Sequence, residues 1–262
     1  MILIRIALEN KPVYATIENN KARLINGDFF GRWSLSDKFI DIDKVTFLPP
    51  VEPYQIIGIG LNYHDHAQES KITLPKEPAV FIKGTNSIIG HKQAIVLPKI
   101  APNEVDYEAE LVIVMGSKAK NVSVDDAHKY ILGYTCGNDV SARDCQLKRD
   151  IQWARGKSFD TFAPIGPAIV TDIIPDRLNI SLKLNGKLMQ SSNTEDMIFN
   201  SRQIVSFLSS CMTLYPKTII MTGTPSGIGA MRTPPVYLKQ RDVVTVEIEK
   251  IGLLRNYVEI EQ

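Results

Sequence analysis

Residues 105–116, VDYEAELVIVMG, carry two patterns at once. From Glu110 onward the run is apolar on both faces of an extended chain, the composition of a strand buried inside a sheet. Before that, Asp106, Glu108 and Glu110 stand two residues apart, so a strand projects all three from one face. Crowded carboxylates raise one another's pKa unless a cation neutralises them. Hard oxygen ligands suit Mg²⁺, Mn²⁺ or Ca²⁺ better than zinc. Solvated acids on an exposed strand face are the competing reading, and these residues alone leave both open.

The segments around this strand are also strand-like. YQIIGIG (54–60) is a short apolar strand ending in glycines, and VVTVEIE (243–249) alternates, with Val244, Val246 and Ile248 on one face. ILIRIALEN, PVYATIE and KARLI within residues 1–50 read as short strands punctuated by Asn19-Asn20 and Asn26-Gly27 turns. Pro49, Pro50 and Pro53 mark a boundary. The expected organisation is a small N-terminal β domain over 1–50 and a larger sheet-rich domain over 51–262. Two helices are expected. One begins at the capping-box-like pair Ser123 and Asp126 and ends near Gly133; the other carries Ile204, Phe207, Leu208 and Cys211 at helical spacing. Strands do not alternate regularly with helices, which argues against Rossmann and TIM architectures. The fold class is α+β, predominantly β.

Composition narrows the function. Thirty Lys plus Arg against 29 Asp plus Glu give a net charge of +1, no footprint for nucleic acid or an anionic membrane. The apolar stretches are too short to span a bilayer, and the opening MILIRIALENK lacks the features of a secretory signal. Cys136, Cys145 and Cys211 are odd in number and form no C-x-x-C pair, which points to a reducing, cytoplasmic setting.

Three further segments carry chemistry. In GLNYHDHAQES (60–70), His66 and Glu69 share one helix face, the layout of a general base oriented by a carboxylate. An ordinary surface His-Glu pair is the bland alternative. His64, five residues from Glu69, is a poorer partner. Gly58-x-Gly60 lacks the third glycine and the βαβ setting of a dinucleotide site. GNDVSARDCQLKRDIQWARGKSFDTFAPIGP (137–167) gathers Asp139, Arg143, Gln146, Arg155 and Lys157, groups able to hold a substrate carboxylate, although such runs are usually solvated. TIIMTGTPSGIG (218–229) runs a strand into a loop whose N–H groups and hydroxyls could receive an anion; a plain tight turn competes.

The order and spacing of GIGLNYHDHAQE, PAVFIKGTNSIIG, VDYEAELVIVMG, GYTCGNDVSARDCQ, RGKSFDTFAPIGP, LNGKLMQSSNTEDMIF and TGTPSGIG resemble the fumarylacetoacetate hydrolase family. The resemblance implies a mixed β-sandwich roll, a homodimer, and one Mg²⁺ or Mn²⁺ per chain held by Glu108, Glu110 and Asp139. It selects Asp139 where strand geometry alone offered Asp106. His66 and Glu69 match the family's water-activating dyad and Lys157 its stabiliser of developing negative charge. Arg143, Gln146 and Thr224 match substrate-contacting positions, and Lys83 lies in a matching strand.

The implied activity is hydrolysis of a C–C bond in a small acylpyruvate-like (2,4-dioxo) acid through an enolate. The alternatives on the same site are decarboxylation of an oxaloacetate-type acid and isomerisation of 2-hydroxyhepta-2,4-diene-1,7-dioate. A late Gly-Asp turn of the family is Arg241-Asp242 here, so that turn either avoids a positive φ or carries strain at Arg241.

Overall fold

In the computed structural model, which describes residues 1–262, strand Ala109–Met115 runs through the main sheet with all seven of its residues buried. It pairs antiparallel with Ile131–Asn138 on one side and Thr218–Met221 on the other. Alternation sends Leu111, Ile113 and Met115 into one hydrophobic cluster and Val112 and Val114 into a second. Both faces therefore leave water, which is why this run is apolar throughout.

The main sheet has 12 strands. Its principal path is Trp33–Asp41, Lys21–Gly27, Lys11–Glu18, Ile2–Leu8, Ala163–Val170, Ile131–Asn138, Ala109–Met115, Thr218–Met221, Gln55–Gly60 and Ala79–Lys83. Lys11–Glu18 and Lys21–Gly27 join through Asn19 and Asn20 at φ 47° and 60°, the left-handed pair a tight hairpin requires. Ile2–Leu8 pairs with Ala163–Val170. The first 50 residues thus extend the same sheet, and Ile4, Ile6, Ala15 and Ala22 pack with Ala168 of the neighbouring strand into a small cluster.

A second, five-stranded sheet runs Lys187–Asn193, Asn179–Leu184, Val243–Ile248, Gly252–Ile260 and Ala94–Leu97. Val244, Val246 and Ile248 are buried, as their alternation requires, in one cluster with Leu111 and Ile113. The two sheets enclose that cluster, and short helices fill their edges. The architecture is α+β, predominantly β.

Helix Ser201–Cys211 forms with a reciprocal cap between Asn200 and Gln203. It buries Ile204, Val205 and Leu208, whereas Cys211, expected on the buried stripe, is exposed. The helix expected from Ser123 to Gly133 does not form. Asp126 N donates to Ser123 Oγ at 3.2 Å, but only a 3-10 turn, Ala127–Tyr130, follows before Ile131 enters the sheet. Sheet pairing takes residues that the local cap alone could not hold in a helix. No helix is long and apolar enough to cross a membrane.

Candidate active site

Strands Gln55–Gly60 and Thr218–Met221 are parallel neighbours, so the loops that follow them meet at one edge of the sheet. Asn62, fully buried, clamps this junction. Its side chain accepts from Phe199 N at 2.8 Å and donates to Phe199 O at 2.9 Å and Thr222 O at 2.7 Å. Helix His64–Ser70 starts two residues later and turns its acids to the second loop. Asp65 accepts from Ser226 N at 3.1 Å and Ser226 Oγ at 2.9 Å. Glu69 accepts from Gly227 N at 3.0 and 3.1 Å, and its Oε2 lies 3.3 Å from His66 Nδ1. Spacing of one helical turn brings His66 and Glu69 together, and the glycine amide fixes the carboxylate.

The acidic run divides where the backbone does. Val105–Asp106 pairs with Ser141–Ala142, whereas Ala109–Met115 pairs with Ile131–Asn138. The break between the two strands ends the simple alternation. Asp106 accepts from Gly229 N at 2.8 Å, Ala230 N at 2.9 Å and Arg143 Nε at 3.0 Å. It is an anchor for the 229–230 segment and is not part of the acid cluster. Glu108 and Glu110 converge instead with Asp139, all three buried, with ligand oxygens within 4.8 Å of one another. Asp139 arrives there because its N–H donates to Glu108 O at 2.9 Å immediately after strand Ile131–Asn138.

Cations surround part of this cluster. Lys157 Nζ donates to Glu108 Oε2 at 2.8 Å and Asp139 Oδ2 at 2.5 Å, and Arg143 Nη2 donates to Glu108 Oε1 at 2.6 Å. Lys83 donates to Asp139. Burial alone would raise the Glu108 pKa, but Lys157 and Arg143 outweigh it and hold the carboxyl well below its usual range. Burial lowers Lys157, yet Asp139 and Glu108 more than compensate and keep the ammonium charged. Glu110 accepts from Gly223 N at 2.9 Å and has no cationic partner. Burial, then the charges of Asp139 and Glu108, push its pKa far above the ordinary value. Three cations thus face four carboxylates, Asp106 included, and Glu110 is the acid left uncompensated. An all-oxygen donor set of this charge fits a hard divalent cation.

A cavity of about 130 Å³ brings together His66, Glu108, Glu110, Arg143, Lys157 and Thr224. Gln146 also lines it and accepts from Arg143 Nη1 at 2.8 Å. Thr224 Oγ1 accepts from Gln190 Nε2 at 2.8 Å. The loop amides expected to receive an anion are largely committed elsewhere: Gly223 N to Glu110, Ser226 N to Asp65, and Gly227 N to Glu69. Their work is to orient the protein's own acids. Sequence reasoning did not single out Asp65, Gln190, Phe81 or Trp153. No local pattern marks them, because their roles arise from segments far apart in the chain.

With this geometry in place, a family profile described as "Fumarylacetoacetate (FAA) hydrolase C-terminal" matches residues 55–259. The chain belongs to the fumarylacetoacetate hydrolase family. A second profile, "Rv2993c-like, N-terminal", matches residues 1–50 of this family member. Fumarylacetoacetate hydrolase domain-containing protein 2 homolog of Dictyostelium discoideum is 46% identical over 264 residues, covering 93% of this chain and 86% of its own. Oxaloacetate tautomerase Fahd2a, mitochondrial, of Rattus norvegicus is 47% identical over 219 residues, covering 82% and 70%. The crystal structure of 2-hydroxyhepta-2,4-diene-1,7-dioate isomerase from Mycobacterium marinum matches with a TM-score of 0.90 at 38% identity, covering 100% of this chain and 99% of that one. This fumarylacetoacetate hydrolase family member is therefore an enzyme by kinship, with a tautomerase and an isomerase among its relatives.

Proposed function

We propose that this chain moves a proton between C3 and the 2-oxo oxygen of a small 2-oxo acid, interconverting its enol and keto forms. A Mg²⁺ or Mn²⁺ ion would be held by Glu108, Glu110 and Asp139. The observation that carries the reading is that Glu108 and Glu110 of the acid cluster line one cavity with His66, the imidazole that Glu69 orients. The kinship to a tautomerase and an isomerase supports it.

When bound, such an ion supplies Lewis-acid stabilisation of the negative charge that develops on the 2-oxo oxygen. His66, oriented by Glu69, exchanges a proton with C3. Lys157 presents an ammonium to the developing charge in a site whose dipoles are fixed in advance. Arg143 and Gln146 orient the substrate carboxylate, and the net change is one proton moved from oxygen to carbon.

The anchoring of Glu69 by Gly227 N also favours a second reading, in which His66 takes its proton from water and a 2,4-dioxo acid is cleaved.

The test is a panel of enol oxaloacetate, enol phenylpyruvate, 2-hydroxyhepta-2,4-diene-1,7-dioate and acetylpyruvate with Mg²⁺, Mn²⁺ or EDTA. The proposal expects metal-dependent loss of enol absorbance. In His66→Ala the rate falls by about 10²–10⁴ while metal binding persists. Cleavage of acetylpyruvate without enol turnover selects the second reading, and silence throughout with metal bound rejects both.

A further inference from the structure

The cavity has two chemically different ends. Every ionisable side chain lining it, namely His66, Glu108, Glu110, Arg143 and Lys157, belongs to the groups already described. At the other end Phe81 and Trp153 line the cavity, seated against Gly58 and Gly60. A Cβ on Gly58 would lie 2.1 Å from the Phe81 ring, and one on Gly60 would lie 2.7 Å from the Trp153 ring. The absence of side chains at these two positions is what lets both rings sit against the strand. Phe81 and Trp153 meet edge to face, with centroids 5.8 Å apart and planes at 66°. Lys157 Nζ lies 5.0 Å from the Phe81 ring centroid, so the aromatic wall begins directly beside the ammonium.

Ile72, Leu147 and Met231 line the same cavity while remaining 55%, 58% and 44% exposed. Large apolar side chains held in water around one opening contribute little to the core, and such patches mark binding surfaces.

A 2-oxo acid places its carboxylate and oxo group at the charged end, which leaves its far end against this wall. A second carboxylate there would lose its water against two apolar rings without gaining an ion-pair partner. No uncommitted cation lines the cavity to meet it: Lys157 pairs with Glu108 and Asp139, and Arg143 with Asp106 and Glu108. We propose that the site selects 2-oxo acids whose far end is an uncharged apolar group, aryl or acyl, over dicarboxylates, with Phe81, Trp153 and Leu147 as the selecting residues. This rests on the reading of the cavity as a 2-oxo acid site.

The test uses unreactive probes that share one oxalyl head. Oxalate reports the head alone, N-phenyloxamate adds an apolar end, and N-oxalylglycine adds a second carboxylate. Binding to the Mn²⁺-loaded full chain is read by calorimetry and by quenching of tryptophan fluorescence. Of the two tryptophans, only Trp153 lines the cavity. N-phenyloxamate is expected to bind at least about tenfold more tightly than N-oxalylglycine, the low end of what burying an aromatic ring supplies. Trp153→Ala should shrink that ratio, and Leu147→Lys, at an exposed position that folding tolerates, should shrink or reverse it. Oxalate binding with equal affinity for the two longer probes, or tighter binding of N-oxalylglycine, overturns the selectivity. Failure of oxalate itself to bind overturns the 2-oxo acid reading beneath it.

Discussion

Replacing Asp106 by Asn keeps the shape of the side chain and removes its charge. In the native chain this carboxylate accepts from Gly229 N, Ala230 N, Arg143 Nε and its neighbour Tyr107 N at 2.8 to 3.0 Å. Asn has one accepting oxygen, so at least one of these donors would face an NH₂ group. Removing one partner of a buried ion pair costs about 3–5 kcal/mol. Arg143 retains Glu108 at 2.6 Å, and the Asn oxygen keeps some of the bonds. The expected loss is therefore about 2–4 kcal/mol. It would appear as a lower urea midpoint with an unchanged slope. Because Asp106 lies outside the acid cluster and reaches Glu108 only through Arg143, Mn²⁺ affinity in the variant should fall by no more than about 10–100-fold, the range for supporting positions. Asp139→Asn should abolish that affinity. A stability loss below about 0.5 kcal/mol, within the range of an ordinary surface change, would refute the anchoring role. Equal loss of metal in both variants would refute the division between Asp106 and the cluster.

Gly58→Ala should destabilise the fold by about 1–3 kcal/mol through overpacking against Phe81; a thermal melt within error of the native one would count against the aromatic seating. Arg241 adopts φ 72°, so the turn keeps its left-handed residue and carries the strain. Arg241→Gly should gain about 0.5–1 kcal/mol in urea denaturation, the relief of the left-handed penalty offset in part by glycine's chain entropy. The imidazole of His91 is pushed down to about 4 by burial and then by Lys92 and Arg255, and its Nδ1 accepts from Arg255 N at 3.2 Å. The unfolded chain takes up this proton near the ordinary value of 6.5 while the folded chain resists it, so stability falls as pH drops from 6.5 to 4 and levels off below. After discounting for a half-exposed ring, the difference is on the order of 1 kcal/mol. His91→Gln should remove this dependence, so urea denaturation should show the native-minus-variant stability difference falling by that amount from pH 6.5 to 4, and a flat difference would count against it.

The sheet was legible because burial on both faces leaves an unbroken signature. ELVIVMG is apolar from end to end for that reason, and VVTVEIE alternates because only one of its faces is covered. The Ser123–Asp126 cap was equally visible and misled, since a local turn cannot report that Ile131 is claimed by sheet pairing. The same limit governed the acids. Alternation correctly brought Glu108 and Glu110 together, but the break between Val105–Asp106 and Ala109–Met115 depends on pairing with residues 141–142, which alternation does not encode. Gly58 and Gly60 were conspicuous, yet their use depends on Phe81 and Trp153, far along the chain. The 222–229 loop was recognised as rich in donors, while the acids that engage those donors lie on helix His64–Ser70 and on the strand Ala109–Met115.

Calorimetric titration of Mn²⁺ into the native chain and into Glu110→Gln tests the central claim most directly. One ion per native chain is expected, with affinity reduced at least about a hundredfold in Glu110→Gln, because affinity at oxygen sites follows the number of charged ligands. Absence of saturable binding to the native chain, or equal affinity in the variant, would contradict the assignment of Glu108, Glu110 and Asp139 as the metal-holding centre.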